Sequence, residues 1–211
     1  MPCQIVPALL AKDEDELTKL QEALSFAPFI QLDIMDGRFV SSTSIPLDLL
    51  KTHPCKNSFE VHLMVYQPEN YLQTIKEIGA CGVVFHVEST DNPFIVIKRA
   101  QALGLKASLA INPDTSYNVL QTFVNLLDSV LFMTVYPGFY GAQFEPKVLQ
   151  NIKDFKALYS HVKVAVDGGA KATNIQQIKA AGVDIICVGS AIVNEADPRT
   201  AYSSLIKLVN E

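Results

Sequence analysis

The feature that most constrains the fold of this chain is an eightfold alternation of short apolar segments with longer amphipathic ones. Near-continuous apolar strands that alternate with helices favour a parallel sheet covered by helices on its faces. About eight such units in this length favour a closed (β/α)8 barrel, or TIM barrel, and residues 1–211 are predicted to form one domain because no linker interrupts them. The predicted strands are Ile5–Leu10, Phe29–Met35, Phe59–Val65, Val83–Val87, Lys106–Ile111, Val130–Val135, Val162–Val166 and Ile185–Val188.

The segments between these strands predict helices. The acidic run Asp13–Glu16 suits the first turn of a helix, where unpaired N–H groups and the helix dipole are positive. Pro68 suits another first turn, because a missing N–H costs nothing there. A further helix is predicted through Leu120, Phe123 and Leu126. An open doubly wound sheet is the weaker alternative, because no G-x-G-x-x-G turn follows the first strand.

Composition argues against several classes of protein. The chain carries 17 Lys+Arg and 22 Asp+Glu, a formal net charge of −5, without basic runs, so no nucleic-acid partner is expected. The four cysteines lack C-x-x-C spacing and are expected to be reduced thiols, with Cys187 in the core. No apolar stretch reaches the roughly 18 residues of a membrane helix, and the start of the chain does not resemble a signal peptide. A cytoplasmic protein without a membrane partner is therefore expected.

Polar side chains stand at the ends of three predicted strands. Reactive groups of a barrel lie where strands end and βα loops begin. Asp33 lies within apolar strand two and Asp167 at the end of apolar strand seven, and two carboxylates that face a small substrate suit a two-base proton transfer. The alternative is that each Asp caps a helix or accepts loop N–H groups. His62 suits a ligand, a substrate contact or a buried core histidine, and His86 is interpreted as structural or as a support behind the site.

Small residues after strands six, seven and eight predict a phosphate site. Glycine lets backbone N–H groups approach an anion, and the loops after strands seven and eight commonly hold phosphate in barrels. Three methionines near strand ends suit an apolar floor under a reacting carbon, or merely fill core gaps. The candidate residues are Met35, Met64, Met133, Gly138, Phe139, Tyr140, Gly141, Gly168, Gly169, Gly189 and Ser190.

These motifs together resemble the ribulose-phosphate 3-epimerase family over nearly the whole chain. The matching stretches begin at Asp33 (DIMDGRFV), Val61 (VHLMV), Met133 (MTVYPGF), Val166 (VDGG) and Val188 (VGS). The resemblance implies a barrel of the ribulose-phosphate-binding type. It also implies an isomerase of the pentose phosphate pathway that interconverts D-ribulose 5-phosphate and D-xylulose 5-phosphate through an enediolate, and homo-oligomers are common in this family.

The resemblance also assigns roles residue by residue. Asp33 matches the proton acceptor, Asp167 matches the proton donor on the opposite face, and both match metal ligands together with His62. The glycine loops match the phosphate-binding loops, and the three methionines match an apolar cap around the reacting carbon. The implied cofactor is a divalent metal ion, Zn²⁺, Mn²⁺, Fe²⁺ or Mg²⁺.

Several positions depart from the family pattern. Gln31 stands where the family usually has a metal-binding His, and Ala8 stands where a Ser hydroxyl contacts the substrate. The loop Ser41–Thr43 replaces a Pro-Asn stretch, and Tyr140 replaces a glycine. An amide oxygen is a harder ligand than imidazole, so either a shift from Zn²⁺ towards Mg²⁺ or Mn²⁺, or a site without metal, is expected.

Three functions remain open at this point. The first is a 3-epimerase of ribulose 5-phosphate. The altered positions Ala8 and Ser41–Thr43 motivate the second, an epimerase of a hexulose 6-phosphate such as allulose 6-phosphate. Gln31 and Ala8 motivate the third, a barrel that binds sugar phosphate without turnover. A decarboxylase of the orotidine-phosphate type is disfavoured, because Met35 stands where its Asp-x-Lys-x-x-Asp signature requires Lys.

Overall fold

The computed structural model describes residues 2–138 and 142–211. Parallel strands close into a barrel in the order β1 to β8, with β8 paired to β1, so the predicted (β/α)8 barrel is confirmed. The strands are β1 (Gln4–Leu9), β2 (Phe29–Met35), β3 (Ser58–Met64), β4 (Gly82–His86), β5 (Lys106–Ile111), β6 (Ser129–Met133), β7 (Val164–Asp167) and β8 (Ile185–Val188).

Helices cover the outside of the barrel. Three of the longer ones begin directly after a polar residue, Asp13, Asn92 or Asp197, whose side chain accepts a hydrogen bond from a backbone N–H in the first turn. The α-helices are α1 (Glu14–Ala23), α2 (Leu49–Thr52), α3 (Leu72–Glu77), α4 (Pro93–Ala102), α5 (Val148–Leu158), α6 (Ile175–Lys179), α7 (Ser190–Val193) and α8 (Pro198–Asn210). A 3-10 turn at Pro68–Asn70 precedes α3, so the predicted helix start at Pro68 lies one turn before the α-helix.

The predicted helix between β5 and β6 is wrong. Two 3-10 turns, Tyr117–Leu120 and Val124–Leu126, replace it. The segment is rich in Ser, Thr, Asn and Val, which are weak helix formers. The Ser116 side chain accepts a hydrogen bond from the backbone N–H of Asn118, which favours a local turn.

Alternation along the strands divides the buried residues into two layers. On β2, Leu32 and Ile34 belong to the large apolar cluster between the strands and the helices. Gln31 and Asp33 alternate with them and point into the barrel, where Gln31 contacts Asp167. The outer layer therefore supplies most of the hydrophobic core, and the inner layer is free to carry polar chemistry.

In the described part of the chain, no helix combines the length and the apolar character that crossing a membrane requires.

Candidate active site

The strand register brings the three polar residues predicted from strand ends into one cluster. Asp33 on β2 pairs with His62 on β3, and Asp167 ends β7. His62 Nδ1 lies 3.1 Å from Asp33 Oδ1 and 3.3 Å from Asp167 Oδ2. His62 is fully buried, whereas the two carboxylates each keep 8% exposure at the floor of a cavity. Both carboxylates can therefore contact one bound molecule while the imidazole lies beneath it.

Gln31 completes this cluster in an arrangement that the sequence did not indicate. Its Nε2 donates to Asp33 Oδ1 at 3.0 Å and to Asp167 Oδ2 at 2.7 Å. Its Oε1 accepts from Cys187 Sγ at 3.1 Å. Burial and the negative charge of Asp167 raise the pKa of Cys187 well above its ordinary value, which keeps the thiol protonated and able to donate. Cys187 is a core residue, as predicted, but it also makes this hydrogen bond.

A second buried histidine supports His62 from the side away from the carboxylates. His62 Nε2 lies 3.1 Å from His86 Nε2, and His86 Nδ1 lies 3.5 Å from Glu88 Oε2. Glu88 is held in turn by the backbone N–H of Asn112 and the hydroxyl of Thr115. The structure therefore places His86 behind the site, in contact with His62.

Electrostatics favour a charged His62. Burial alone would lower its pKa, but hydrogen bonds to Asp167 and Asp33, and their negative charges, raise the pKa of His62 from 6.5 to about 10. Burial lowers the pKa of His86, and the charge of His62 lowers it further, although Glu88 opposes this shift. The raised pKa of His62 and the lowered pKa of His86 both agree with a charged His62 that donates its Nε2–H to a neutral His86.

The pKa of Asp33 moves towards the physiological range. Burial raises it, and the negative charge of Asp167 raises it further, while His62 and Gln31 oppose the shift, which leaves the pKa of Asp33 at about 6. A carboxyl group with such a pKa can both accept and release a proton near neutral pH.

One face of the cavity above the carboxylates is apolar and the other is lined by small residues. Met35, Met64 and Leu10 form a buried cluster at the upper ends of their strands, and Met133 lies beside Asp167 in the β6–β7 register. The other lining residues are Ala8, Val135, Pro137, Gly138, Ala142, Gly168, Gly169, Ala170, Gly189 and Ser190. The predicted methionines and the described glycines thus meet at one cavity. The candidate residues Phe139, Tyr140 and Gly141 lie outside the described residues.

Leu10 and Ala8 also line this cavity, and the sequence did not indicate this position for Leu10. Its only signal was its position at the end of a predicted apolar strand. This signal is shared by many core residues and points to no particular chemistry.

The glycine after β7 is required by its backbone conformation and by packing. Gly168 has φ of 107°, and an added Cβ would lie 2.3 Å from Cγ2 of Val135. Gly169 also has a positive φ, of 68°. A side chain at position 168 would therefore be strained and would also clash.

The oxygen and nitrogen atoms of Asp33, His62 and Asp167 form a group that could hold a metal ion, since all lie within 4.8 Å of one another. Carboxylate and imidazole donors suit Zn²⁺, Mn²⁺ or Fe²⁺. Gln31 points its amino group, not its oxygen, towards this centre, and so adds no donor to the set.

Comparison with known proteins places the chain in a family. Residues 2–193 match the model of the "Ribulose-phosphate 3 epimerase family". The ribulose-phosphate 3-epimerase of Mycobacterium leprae is 33% identical over 207 residues, which cover 95% of this chain and 92% of that protein. The enzyme of the same name from Synechocystis is 34% identical over 200 residues, with 90% and 87% covered.

Solved structures with lower identity share the fold. The structure of 3-hexulose-6-phosphate synthase has a TM-score of 0.67 at 18% identity and covers 99% of both chains. The mutant tryptophan synthase alpha-subunit from Pyrococcus furiosus has a TM-score of 0.68 at 18% identity, and covers 100% of this chain and 98% of that one. On its family match and its relatives above 30% identity, the chain belongs to the ribulose-phosphate 3-epimerase family.

Proposed function

We propose that this chain epimerises a ketose phosphate at C3, with D-ribulose 5-phosphate and D-xylulose 5-phosphate as its substrate pair. The observation that carries the proposal is the pair of carboxylates, Asp33 and Asp167, which reach one cavity from a single buried cluster. Family membership supports the reaction class, and the relatives named above carry the name of this activity.

Inversion at a carbon next to a carbonyl needs a proton acceptor on one face and a proton donor on the other. In the proposed cycle, Asp33 removes the C3 proton and the bonding electrons move into the carbonyl, which gives an enediolate. Asp167, which must enter this step protonated, then delivers its proton to the opposite face of C3, and the electrons return to the carbonyl. Asp33 is left protonated and Asp167 ionised, and proton exchange with solvent restores the starting state. The pKa of Asp33, at about 6, suits a group that accepts a proton near neutral pH.

Negative charge that develops on the enediolate oxygens requires positive groups that are already in place. His62 lies between the two carboxylates, and its raised pKa favours the imidazolium. A divalent metal held by Asp33, His62 and Asp167 would require His62 to lose its Nδ1 proton, and the charge of the ion would then stabilise the enediolate in place of the imidazolium. Zn²⁺, Mn²⁺, Fe²⁺ and Mg²⁺ are the ions to test.

The apolar face of the cavity supports the same chemistry. Leu10, Met35 and Met64 are all buried, with exposures of 6%, 6% and 2%. Thioether and aliphatic groups next to the carboxylates exclude water, which strengthens electrostatic interactions and protects a reactive enediolate. These side chains are proposed to pack against the sugar carbons.

The small residues opposite this wall are proposed to bind the phosphate. No Lys or Arg is found among the described residues that line the cavity. An anion there must depend on backbone N–H groups and on the Ser190 hydroxyl, and Gly168, Gly169 and Gly189 line the cavity without side chains that would cover their backbone. Binding through backbone dipoles also agrees with the net charge of −5 of the chain.

The test is conversion of ribulose 5-phosphate followed by NMR, with and without added divalent metals. Formation of xylulose 5-phosphate that Asp33→Asn abolishes would support the proposal. Binding of the sugar phosphate without turnover, under every metal condition, would instead identify a sugar-phosphate-binding barrel and contradict it.

A second candidate substrate is a hexulose 6-phosphate such as allulose 6-phosphate. Ala8 lines the cavity and offers a methyl group without a hydroxyl, which leaves both space and an apolar surface. The panel of substrates in the NMR experiment should therefore include it. Turnover of the hexulose phosphate above that of the pentulose would favour this candidate.

A further inference from the structure

We propose that Gln31, held in one orientation by Cys187, bridges Asp33 and Asp167 in the resting enzyme, so that the centre binds divalent metal weakly and Gln31 acts as a positioning residue in place of a resident ion. If Gln31 acts in place of a metal ion, turnover should continue without metal, and this expectation rests on the proposed epimerase function. The weak metal affinity of the centre is independent of that function.

The hydrogen bonds of Gln31 use both ends of its amide. The amino group has two N–H donors, and its nitrogen lies 3.0 Å from Asp33 Oδ1 and 2.7 Å from Asp167 Oδ2. The carbonyl oxygen accepts from the Cys187 thiol at 3.1 Å. No hydrogen-bonding capacity of the amino group is left over, and the side chain is fully buried.

The opposite orientation of the amide is unfavourable. Rotation by half a turn would place Oε1 within hydrogen-bond distance of two carboxylate oxygens, where two acceptors repel each other. It would also place the amino group against Cys187, whose sulfur is a weak acceptor. Gln31 has 0% exposure, so solvent cannot replace the lost hydrogen bonds.

This orientation opposes the binding of a cation. A metal between Asp33 and Asp167 would face the positive end of the Gln31 amide. An oxygen or nitrogen lone pair at this place would instead add a fourth ligand to Asp33, His62 and Asp167. To coordinate the ion, Gln31 would have to turn and give up its hydrogen bonds to both carboxylates and to Cys187. The three-residue donor group therefore exists, but Gln31 competes for the same carboxylate oxygens.

The same contacts give Gln31 a role in the absence of metal. Two carboxylates close to one buried imidazole repel each other unless donors lie between them. Gln31 and His62 supply such donors and hold both carboxylates towards the cavity. Gln31 itself does not line the cavity among the described residues, so it acts on the substrate only through the two acids.

The experiment compares metal binding by the wild type, Gln31→His and Cys187→Ala after dialysis against a chelator. Mn²⁺, Zn²⁺ and Co²⁺ affinities are measured by calorimetry and chelator competition, and the visible spectrum of bound Co²⁺ reports its coordination. Gln31→His adds an imidazole donor and should bind metal about 100-fold more tightly than the wild type. Cys187→Ala frees the amide to turn and should tighten binding about 10-fold. Cys81→Ala is the matched control, because Cys81 lies at the opposite mouth of the barrel, and its affinity should equal that of the wild type.

Stoichiometric metal that survives dialysis of the wild type, or equal affinity in the wild type and Gln31→His, would overturn the inference. If Gln31→His does not fold, as judged by circular dichroism, the wild type and Cys187→Ala decide the question. If the wild type binds metal tightly while ribulose 5-phosphate is still epimerised, this inference alone is refuted. If the wild type binds metal weakly and the variants bind it more tightly, but no ketose phosphate is turned over, the proposed function alone is refuted.

Discussion

Nε2 of His62 lies 3.1 Å from Nε2 of His86, so the imidazole that meets both carboxylates is held from behind by a second buried imidazole. Glu88, 3.5 Å from the far nitrogen of His86, extends this chain towards the surface. The contacts fix which nitrogen of His62 faces the two carboxylates, since its Nε2–H is committed to His86. The arrangement of the site is therefore set one layer below the residues that contact the substrate.

Replacement of His86 should disturb His62 without removing any group from the cavity. His86→Leu leaves the buried Nε2–H of His62 without an acceptor, which should cost about 1–3 kcal/mol of unfolding free energy and about 10- to 100-fold in kcat. His86→Gln keeps a hydrogen-bond acceptor, its amide oxygen, and should restore part of the lost stability and part of the lost kcat. Nitrogen-15 NMR of labelled histidine measures the state of the His62 ring directly. An unchanged His62 spectrum in His86→Leu would contradict this role.

Substitution at Gly168 should be far more costly than the same change at another glycine with positive φ. An alanine Cβ at position 168 would lie 2.3 Å from Val135 Cγ2, whereas at Gly79, with φ of 83°, it would meet nothing within 4 Å. Gly168→Ala should therefore lose about 3 kcal/mol or more of unfolding free energy, and Gly79→Ala about 1 kcal/mol. Urea denaturation measures both.

The double variant Gly168→Ala with Val135→Ala supplies the control for this explanation. Removal of the Val135 methyl groups relieves the clash but not the backbone strain, so the double variant should recover part of the loss. Equal losses at positions 79 and 168 would show that packing against Val135 is unimportant.

Glu60 should make stability depend on pH near neutrality. It lines a cavity at the lower mouth of the barrel, and burial raises its pKa from 4.5 to about 7 despite the positive charges of His62 and Lys106. Because the pKa is raised in the folded state, the stabilising contribution is present below about pH 4.5 and is lost as the pH rises towards 7. The contribution of Glu60 to the unfolding free energy should fall by at most about 1.4 kcal/mol per pH unit.

Thermal or urea unfolding of Glu60→Gln across this pH range checks the sign. The variant should gain stability relative to the wild type as the pH rises from 4.5 to 7. Glu77→Gln, at an exposed position where hydrogen bonds to Gln73 and Lys51 lower the pKa of the glutamate, should not show this gain. A stability difference between Glu60→Gln and the wild type that stays constant over this range would contradict the raised pKa of Glu60.

The sequence predicted the barrel and the chemical core of the site for a physical reason. A carboxylate at the end of an apolar strand, as in Asp33 and Asp167, is costly unless it has a partner or a use, so its position is informative. The alternation of apolar residues fixed which side chains point inward, and thereby placed His62 beside Asp33.

Other features depend on contacts between strands that are distant in sequence. The hydrogen bond between Cys187 and Gln31 joins residues 156 positions apart, and the orientation of the Gln31 amide depends on that contact and on two carboxylates at once. No local pattern encodes such an orientation. The incorrect helix after β5 has a local cause, since the spacing of Leu120, Phe123 and Leu126 was helical while the neighbouring Ser, Thr and Asn residues favoured turns.

The most direct test of the proposed chemistry is solvent deuterium exchange at C3 of ribulose 5-phosphate in deuterated water. If Asp33 and Asp167 act on opposite faces, the wild type should place deuterium at C3 of xylulose 5-phosphate. Asp167→Asn should slow epimer formation by about 100-fold or more while exchange into recovered ribulose 5-phosphate continues through Asp33. Xylulose 5-phosphate that forms without solvent deuterium at C3, or equal epimer formation in the wild type and Asp167→Asn, would contradict the two-carboxylate mechanism.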